Sequence, residues 1–338
     1  MARTSDNELR ARLRGLGLSR AAIRAAWPRW WSEAAEGSPS ARAELKFTVA
    51  RNLGLDARSL FDELEQPRFL WREEARFKRL MAEDAVERAG ITSFGQAVGA
   101  LVLAASQPTR GPVIDGAAPG DLRRSLLAGS SQPLGLADVL ALSWASGIPV
   151  IHLRVFPWTH KRMAAMTVQI AGRHAVLLAK DASYPAPIAF YLGHELGHIA
   201  LGQVPDGAAV VDLEDGHREQ SGGDAEELAA DEFALTLLTG RRKLRVESSS
   251  GAPASGSELA RTAIQAGMDL RIDPGVIAEI YGYTTGDWSA VNVALRTIYR
   301  RAAPVWDAIN RTALRELDIE ALPADSAGFL HAVMGLAA

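Results

Sequence analysis

Two histidines four residues apart, with a glutamate directly after the first, stand in the stretch YLGHELGHIALG between Tyr191 and Gly202. On a helix that spacing is just over one turn, so His194 and His198 project from one face and can share an ion. A catalytic zinc needs three protein ligands and an open position for water. The chain contains no cysteine, which excludes disulfides and thiolate ligands and leaves nitrogen and oxygen donors. Downstream, DAEELAADEFALTLL offers Glu227 and Asp231, again four apart and on one helical face. Glu227 suits the third ligand, and Asp231 suits a hydrogen bond from the outer ring nitrogen of a ligating histidine. Glu226 and Glu232 face elsewhere. Two alternatives stay open: Asp224 and Glu227 as a capping box, and His217, in the loop between the helices, as the third ligand.

Glu195 adjoins His194 and can lean over a metal-activated water without ligating. Zinc brings the pKa of such water towards ~7, so a neighbouring carboxylate can take its proton and later pass it to a leaving amine. The chemistry expected is therefore amide hydrolysis with Glu195 as general base. An oxyanion donor is also required, and His160, His174, Tyr184 and Tyr191 are all candidates. One Zn2+ is the expected cofactor, although Mn2+ or Fe2+ also suits a His/His/Glu site.

These side chains need rigid elements beneath them. Short β-rich runs, GIPVIHLRVF (Gly147 to Phe156), AMTVQI and HAVLLAK, precede the HELGH segment, the last two joined as a hairpin through Ala171-Gly172-Arg173. The HELGH helix is expected to start just after Pro187 and to end near Gly202. Gly193 and Gly197 are poor helix formers, so close approach of a neighbouring strand or of substrate is expected there. A polar loop from Gln203 to about Gly223 follows, then a helix from Asp224 to Leu238 closed by Gly240. Glu247 to Ser257 is a Ser/Gly-rich connector.

The expected organisation is α+β, with a helical module over 1–82, a helical connecting region over 83–146, a metal-binding core over 147–245 and a helical region over 258–338. In the first module ELKFTVARNLGLDARSLFDEL (Glu44 to Leu64) reads as helix, tight turn at Gly54, Asp56 N-cap and second helix. That pattern fits a DNA-reading helix-turn-helix and equally any small helical bundle. Trp27, Trp30 and Trp31 are expected to pack inward. A further helix is expected from Ile91 to Ala105. Net charge is −3, but residues 1–80 hold 16 Lys and Arg against 11 Asp and Glu, leaving 21 against 29 in the remainder. The asymmetry is compatible with DNA contact through residues 1–80, and a solvated helix surface explains it as well. The N-terminus has no apolar leader, and the longest apolar run, Ala97 to Ala105, is too short to span a bilayer. A cytoplasmic protein without membrane contact is expected.

HELGH followed by ELAADEFALTLL (Glu227 to Leu238) resembles the ImmA/IrrE metallopeptidases, a gluzincin-type family whose pattern is HExGH and then ExEAxxFAxxLL. The resemblance spans about Gly147 to Gly240. It implies a small zincin-like sheet carrying the HExxH helix and a second ligand helix. It gives Glu227 the third-ligand place and Asp231 that of the Asp or Asn orienting a histidine, with Phe233, Ala234, Leu237 and Leu238 at packing positions. Ala229 departs from it, standing where the family commonly has a second glutamate. The resemblance further implies a zinc endopeptidase acting on a specific regulatory protein, such as a transcriptional repressor or an antitoxin, in stress response or mobile-element control. The other function class compatible with the sequence is a DNA-binding regulator that uses the metallopeptidase fold as a sensor or partner-binding scaffold of toxin-antitoxin type.

Overall fold

The structure is a computed structural model and describes residues 5–62, 64–71, 75–77, 85–108, 111, 113–129, 131–159, 163–213, 225–247, 253 and 255–336. The first helices are α1 (Ser5–Gly15), α2 (Arg20–Ala26), α3 (Glu33–Glu36), α4 (Pro39–Leu53) and α5 (Ala57–Phe61). Strand β1 (Ala75–Phe77) and helices α6 (Ala85–Ala105), α7 (Pro119–Ala128) and α8 (Leu136–Ala145) lead to β2 (Val150–His152), β3 (Met163–Ile170) and β4 (Arg173–Leu178). Then come α9 (Pro185–Ala200), β5 (Ala209–Leu213) and α10 (Ala225–Thr239). The chain ends with α11 (Gly256–Leu270), α12 (Pro274–Thr285), α13 (Trp288–Tyr299), α14 (Val305–Glu316) and α15 (Ala324–Val333). The class is α+β, as expected.

The strands form one mixed sheet in the order β1-β5-β3-β4-β2. β3 pairs antiparallel with β4 and β5, while β2 and β1 add in parallel at the two edges. The β3–β4 hairpin turns on Ala171 (φ 50) and Gly172 (φ 73), the two left-handed positions that match strand twist in a two-residue turn. Period-2 alternation then divides the sheet. Met166, Val168, Leu177 and Val211 enter one apolar core, and Ala165, Val176 and Leu178 enter a second with Ile188, Leu192 and Leu196 of α9. Helix α6 covers the first face, with Gly95 and Gly99 set against Met166 and Val168.

The first core also takes in Leu9, Leu13, Leu45 and Leu53 from the N-terminal helices and Phe329, Leu330 and Met334 from the C-terminal end. Asn310 of α14 ties the end of the chain to the sheet. The His152 amide donates to Asn310 Oδ1 (2.7 Å), and Asn310 Nδ2 donates to the carbonyls of His152 and Met334 (2.8 Å each). At the N-terminal end, Arg12 donates to the carbonyls of Ser59, Leu60, Asp62 and Glu65. Arg10 pairs with Asp6 and stacks on Trp27, and Arg68 pairs with Asp56 and Glu65.

Several expectations need correction. Helix α9 begins at Pro185 and holds both prolines in its first turn, where a missing N–H costs nothing and the fixed φ already suits a helix. The expected polar loop contains β5, because β3 supplies the ladder that AVVDL alone could not announce. Helix α6 begins at Ala85 instead of Ile91 and so becomes long and apolar enough to cross a membrane, but 67% of its most apolar 18-residue stretch is buried in this fold. Trp27 and Trp31 pack against the core as expected, whereas Trp30 is 36% exposed and donates to Asp325.

Candidate metal centre

Helices α9 and α10 meet closely because α9 has no side chain at Gly193 and Gly197. A Cβ at Gly197 would lie 3.1 Å from the backbone of Ala230 and from Phe233 Cβ; one at Gly193 would meet Ala234 Cβ at 3.4 Å. The approaching element is thus a helix, where the sequence suggested a strand or substrate. On α10, Glu227, Ala230, Asp231 and Ala234 follow the i, i+3, i+4, i+7 spacing of one face. The close contact at Ala230 therefore carries the two carboxylates against the histidines.

His194 and His198 are 1% and 0% exposed. His194 Nδ1–H donates to Asp231 Oδ1 (2.8 Å), and His198 Nδ1–H donates to Gln203 Oε1 (2.5 Å). The Gln203 amide is itself set by its Nε2–H, which donates to the Glu226 carbonyl (3.4 Å). Both outer nitrogens being donors, both Nε2 atoms present lone pairs. The two Nε2 atoms approach each other to 2.9 Å. Glu227 adds Oε2 at 3.5 Å from His194 Nε2 and Oε1 at 3.3 Å from His198 Nε2. Asp212 adds Oδ2 at 3.4 Å from His194 Nε2.

Four electron-rich atoms, one from each of His194, His198, Asp212 and Glu227, thus lie within 4.8 Å of one another. A cation among these donors would satisfy all four at once. Donors on a tetrahedron with bonds of about 2.0–2.1 Å are about 3.3–3.4 Å apart. The Asp212–His194 separation of 3.4 Å and the separations of Glu227 Oε2 from His194 (3.5 Å) and of Glu227 Oε1 from His198 (3.3 Å) lie close to that edge, and the 2.9 Å histidine pair needs only a small opening. This buried group could hold a metal ion, and its all-nitrogen-and-oxygen donors fit zinc, manganese or iron(II).

Glu195 is fully buried against the sheet, where Thr167 Oγ1 on β3 donates to its Oε2 at 2.5 Å. A fully buried carboxylate beside two candidate ligand histidines is costly unless a role retains it. The Phe190 ring lies beside His194 (6.5 Å between centroids) and continues through Tyr283 to Trp288. Among the oxyanion candidates, His174 shares the α9-facing side of β4, with burial pushing its pKa down and Asp115 and Asp206 pulling it up. Tyr184 precedes α9 and stacks on Tyr299, and Tyr191 packs half-buried in the second core. His160, His217 and Asp224 lie outside the described residues.

The structure therefore brings His194, His198, Glu227 and Asp231 together and sets Glu195 beneath them. It adds Asp212, Thr167 and Gln203, which sequence reasoning did not single out. Strand alternation is the signal that could have found two of them: Thr167 pairs with Val210, and Ala165 with Asp212, so both polar side chains share the face under α9. In comparisons with known proteins, the chain matches no family model, no curated protein and no solved structure.

Proposed function

We propose that this chain is a zinc-dependent endopeptidase of narrow specificity, cleaving a regulatory protein such as a transcriptional repressor, as its resemblance to the ImmA/IrrE metallopeptidases implies. The observation that carries the reading is the pairing of two converging Nε2 lone pairs and the Glu227 carboxylate with a buried glutamate adjoining the first histidine. His194, His198 and Glu227 would hold the ion, which when bound polarises a peptide carbonyl and acidifies water. Asp231 and Gln203 hold the imidazoles in the tautomer that directs each Nε2 inward. Glu195 receives the proton of the attacking water on its carboxylate and delivers it to the departing amine nitrogen. Thr167 fixes the rotamer that Glu195 needs for this transfer.

Metal content measured by plasma mass spectrometry on wild type, His198→Ala and Glu227→Ala tests the site. Near-stoichiometric zinc in wild type, lost in both variants, is expected. Glu195→Gln should keep the metal and lose proteolysis; a Glu195→Gln protein that cuts as wild type does would refute the mechanism. The N-terminal turn does not favour the DNA-regulator reading to the same degree. Its second helix, α5, has five residues, and Arg10, Arg12 and Arg68 are engaged within the module.

A further inference from the structure

We infer that Asp212 is an internal fourth ligand that caps the metal in the resting protein, so that the water-accepting position opens only when Asp212 withdraws. The inference rests on the metallopeptidase reading and adds regulation to it. A hydrolytic site needs a position for water beyond its three protein ligands. Here Asp212 Oδ2 stands 3.4 Å from His194 Nε2, the same spacing that Glu227 makes with the two histidines. With this carboxylate in place, four protein donors would hold the ion.

The position of Asp212 also provides for its withdrawal. It is the penultimate residue of β5, and the β3 register slips opposite it, pairing Met163 with Leu213 and Ala165 with Asp212. Ala164, the extra residue of that bulge, has its carbonyl taken up on the other side by the amides of Ala179 and Lys180 (2.8 and 2.9 Å). Bulges loosen the ladder and redirect side chains beside functional sites. The carboxylate side chains of Asp212 and Glu227 are 12% and 21% exposed where the histidines are 1% and 0%, so solvent and substrate approach from the carboxylate side. Of the two carboxylates, Glu227 is anchored on a helix locked by Gly197 and bridges both histidines, which leaves Asp212 as the one to yield. Withdrawal is a simple exchange: one metal–carboxylate bond breaks as water takes the place, with no change in oxidation state.

The test uses full-length wild type, Asp212→Ala and the near-isosteric Asp212→Asn, each loaded with cobalt(II) and titrated with thiocyanate while the visible spectrum is followed. The anion must displace Asp212 in wild type and only water in the variants. Thiocyanate should therefore bind at least tenfold more tightly in both variants, while cobalt affinity, measured by chelator competition, falls tenfold or more. Cobalt bound with an affinity and an anion response indifferent to residue 212 would overturn the cap and leave the peptidase reading standing. Failure of wild type to bind cobalt would overturn both. If Asp212→Ala does not fold, the Asp212→Asn comparison decides by the same criteria.

Discussion

Replacing Gly197 by alanine tests how far the α9–α10 contact sets the metal site, and Gly193→Ala supplies a control from the same helix. The added methyl at 197 would lie 3.1 Å from Ala230 Cα, Ala230 O and Phe233 Cβ, whereas carbon atoms rest comfortably at about 3.5–4.0 Å. Helix α10 must move out by about 0.4 Å, an overpacking cost of about 1–3 kcal/mol, against up to about 1 kcal/mol gained in helix propensity. Glu227 lies one turn from Ala230, so its 3.3 and 3.5 Å separations from the histidines would widen to about 3.7–3.9 Å, past the ~3.4 Å tetrahedral edge. Zinc affinity should fall about tenfold, or 1.4 kcal/mol. Apo-protein stability should change by no more than about 2 kcal/mol. At Gly193 the new methyl meets Ala234 Cβ at an ordinary 3.4 Å, so that variant should gain up to about 1 kcal/mol and keep its zinc affinity. Chelator competition and denaturant unfolding of the apo-proteins measure the two quantities. Equal zinc affinity in the two variants would refute the claim that glycine 197 positions the ligand helix.

Thr167→Val removes the hydroxyl held against Glu195 at constant shape; zinc content should be unchanged while turnover drops at least tenfold, measured on the cleaved protein once found. Arg123 is 6% exposed and its guanidinium donates to the carbonyls of Leu237, Leu238, Leu270 and Arg271. Arg123→Lys, which cannot fork, should lower stability by about 2–4 kcal/mol in urea unfolding, since bonds from a charged donor are worth about 1.5–3 kcal/mol each. Burial raises the Glu279 carboxyl from 4.5 to about 7, with Lys180 pulling the other way. A raised carboxyl binds its proton in the folded state, so this stability is fully present below pH 4.5 and is lost as pH rises through about 7. Glu279→Gln should flatten that slope and stabilise the protein at pH 8 by at most about 3 kcal/mol, measured by denaturant unfolding across pH.

Helices with strong punctuation were the legible part of this chain. The run from Ala225 to Thr239 shows its period and its stop at Gly240, which adopts φ 74, and the hairpin turn shows in Ala171-Gly172 because left-handed positions need small residues. Helical spacing paired His194 with His198 and Glu227 with Asp231, and the need for a third ligand, with the family resemblance, joined the two pairs. Asp212 and Thr167 were harder to group, since strand alternation sets them on one face only once the pairing of β3 with β5 and its register are known. Gln203 lay hidden for another reason: it acts from just beyond the end of α9, where no periodicity guides the reading. The prolines of α9 misled because residues before proline avoid helix, a rule that gives way in the first turn.

The Asn310 contact has a consequence for anyone shortening this protein. Strand β2 is an outer strand of the sheet, and the Asn310 amide occupies His152 as a further strand would, offering one acceptor and one donor. Unoccupied strand edges recruit copies of themselves. A fragment ending before α14, trimmed to retain only the helices of the candidate metal site, would expose that edge and shed part of the first core with it. Such a fragment should self-associate through β2, and its lack of activity would report clumping instead of chemistry. The last helices thus serve the molecule as a guard against its own sheet.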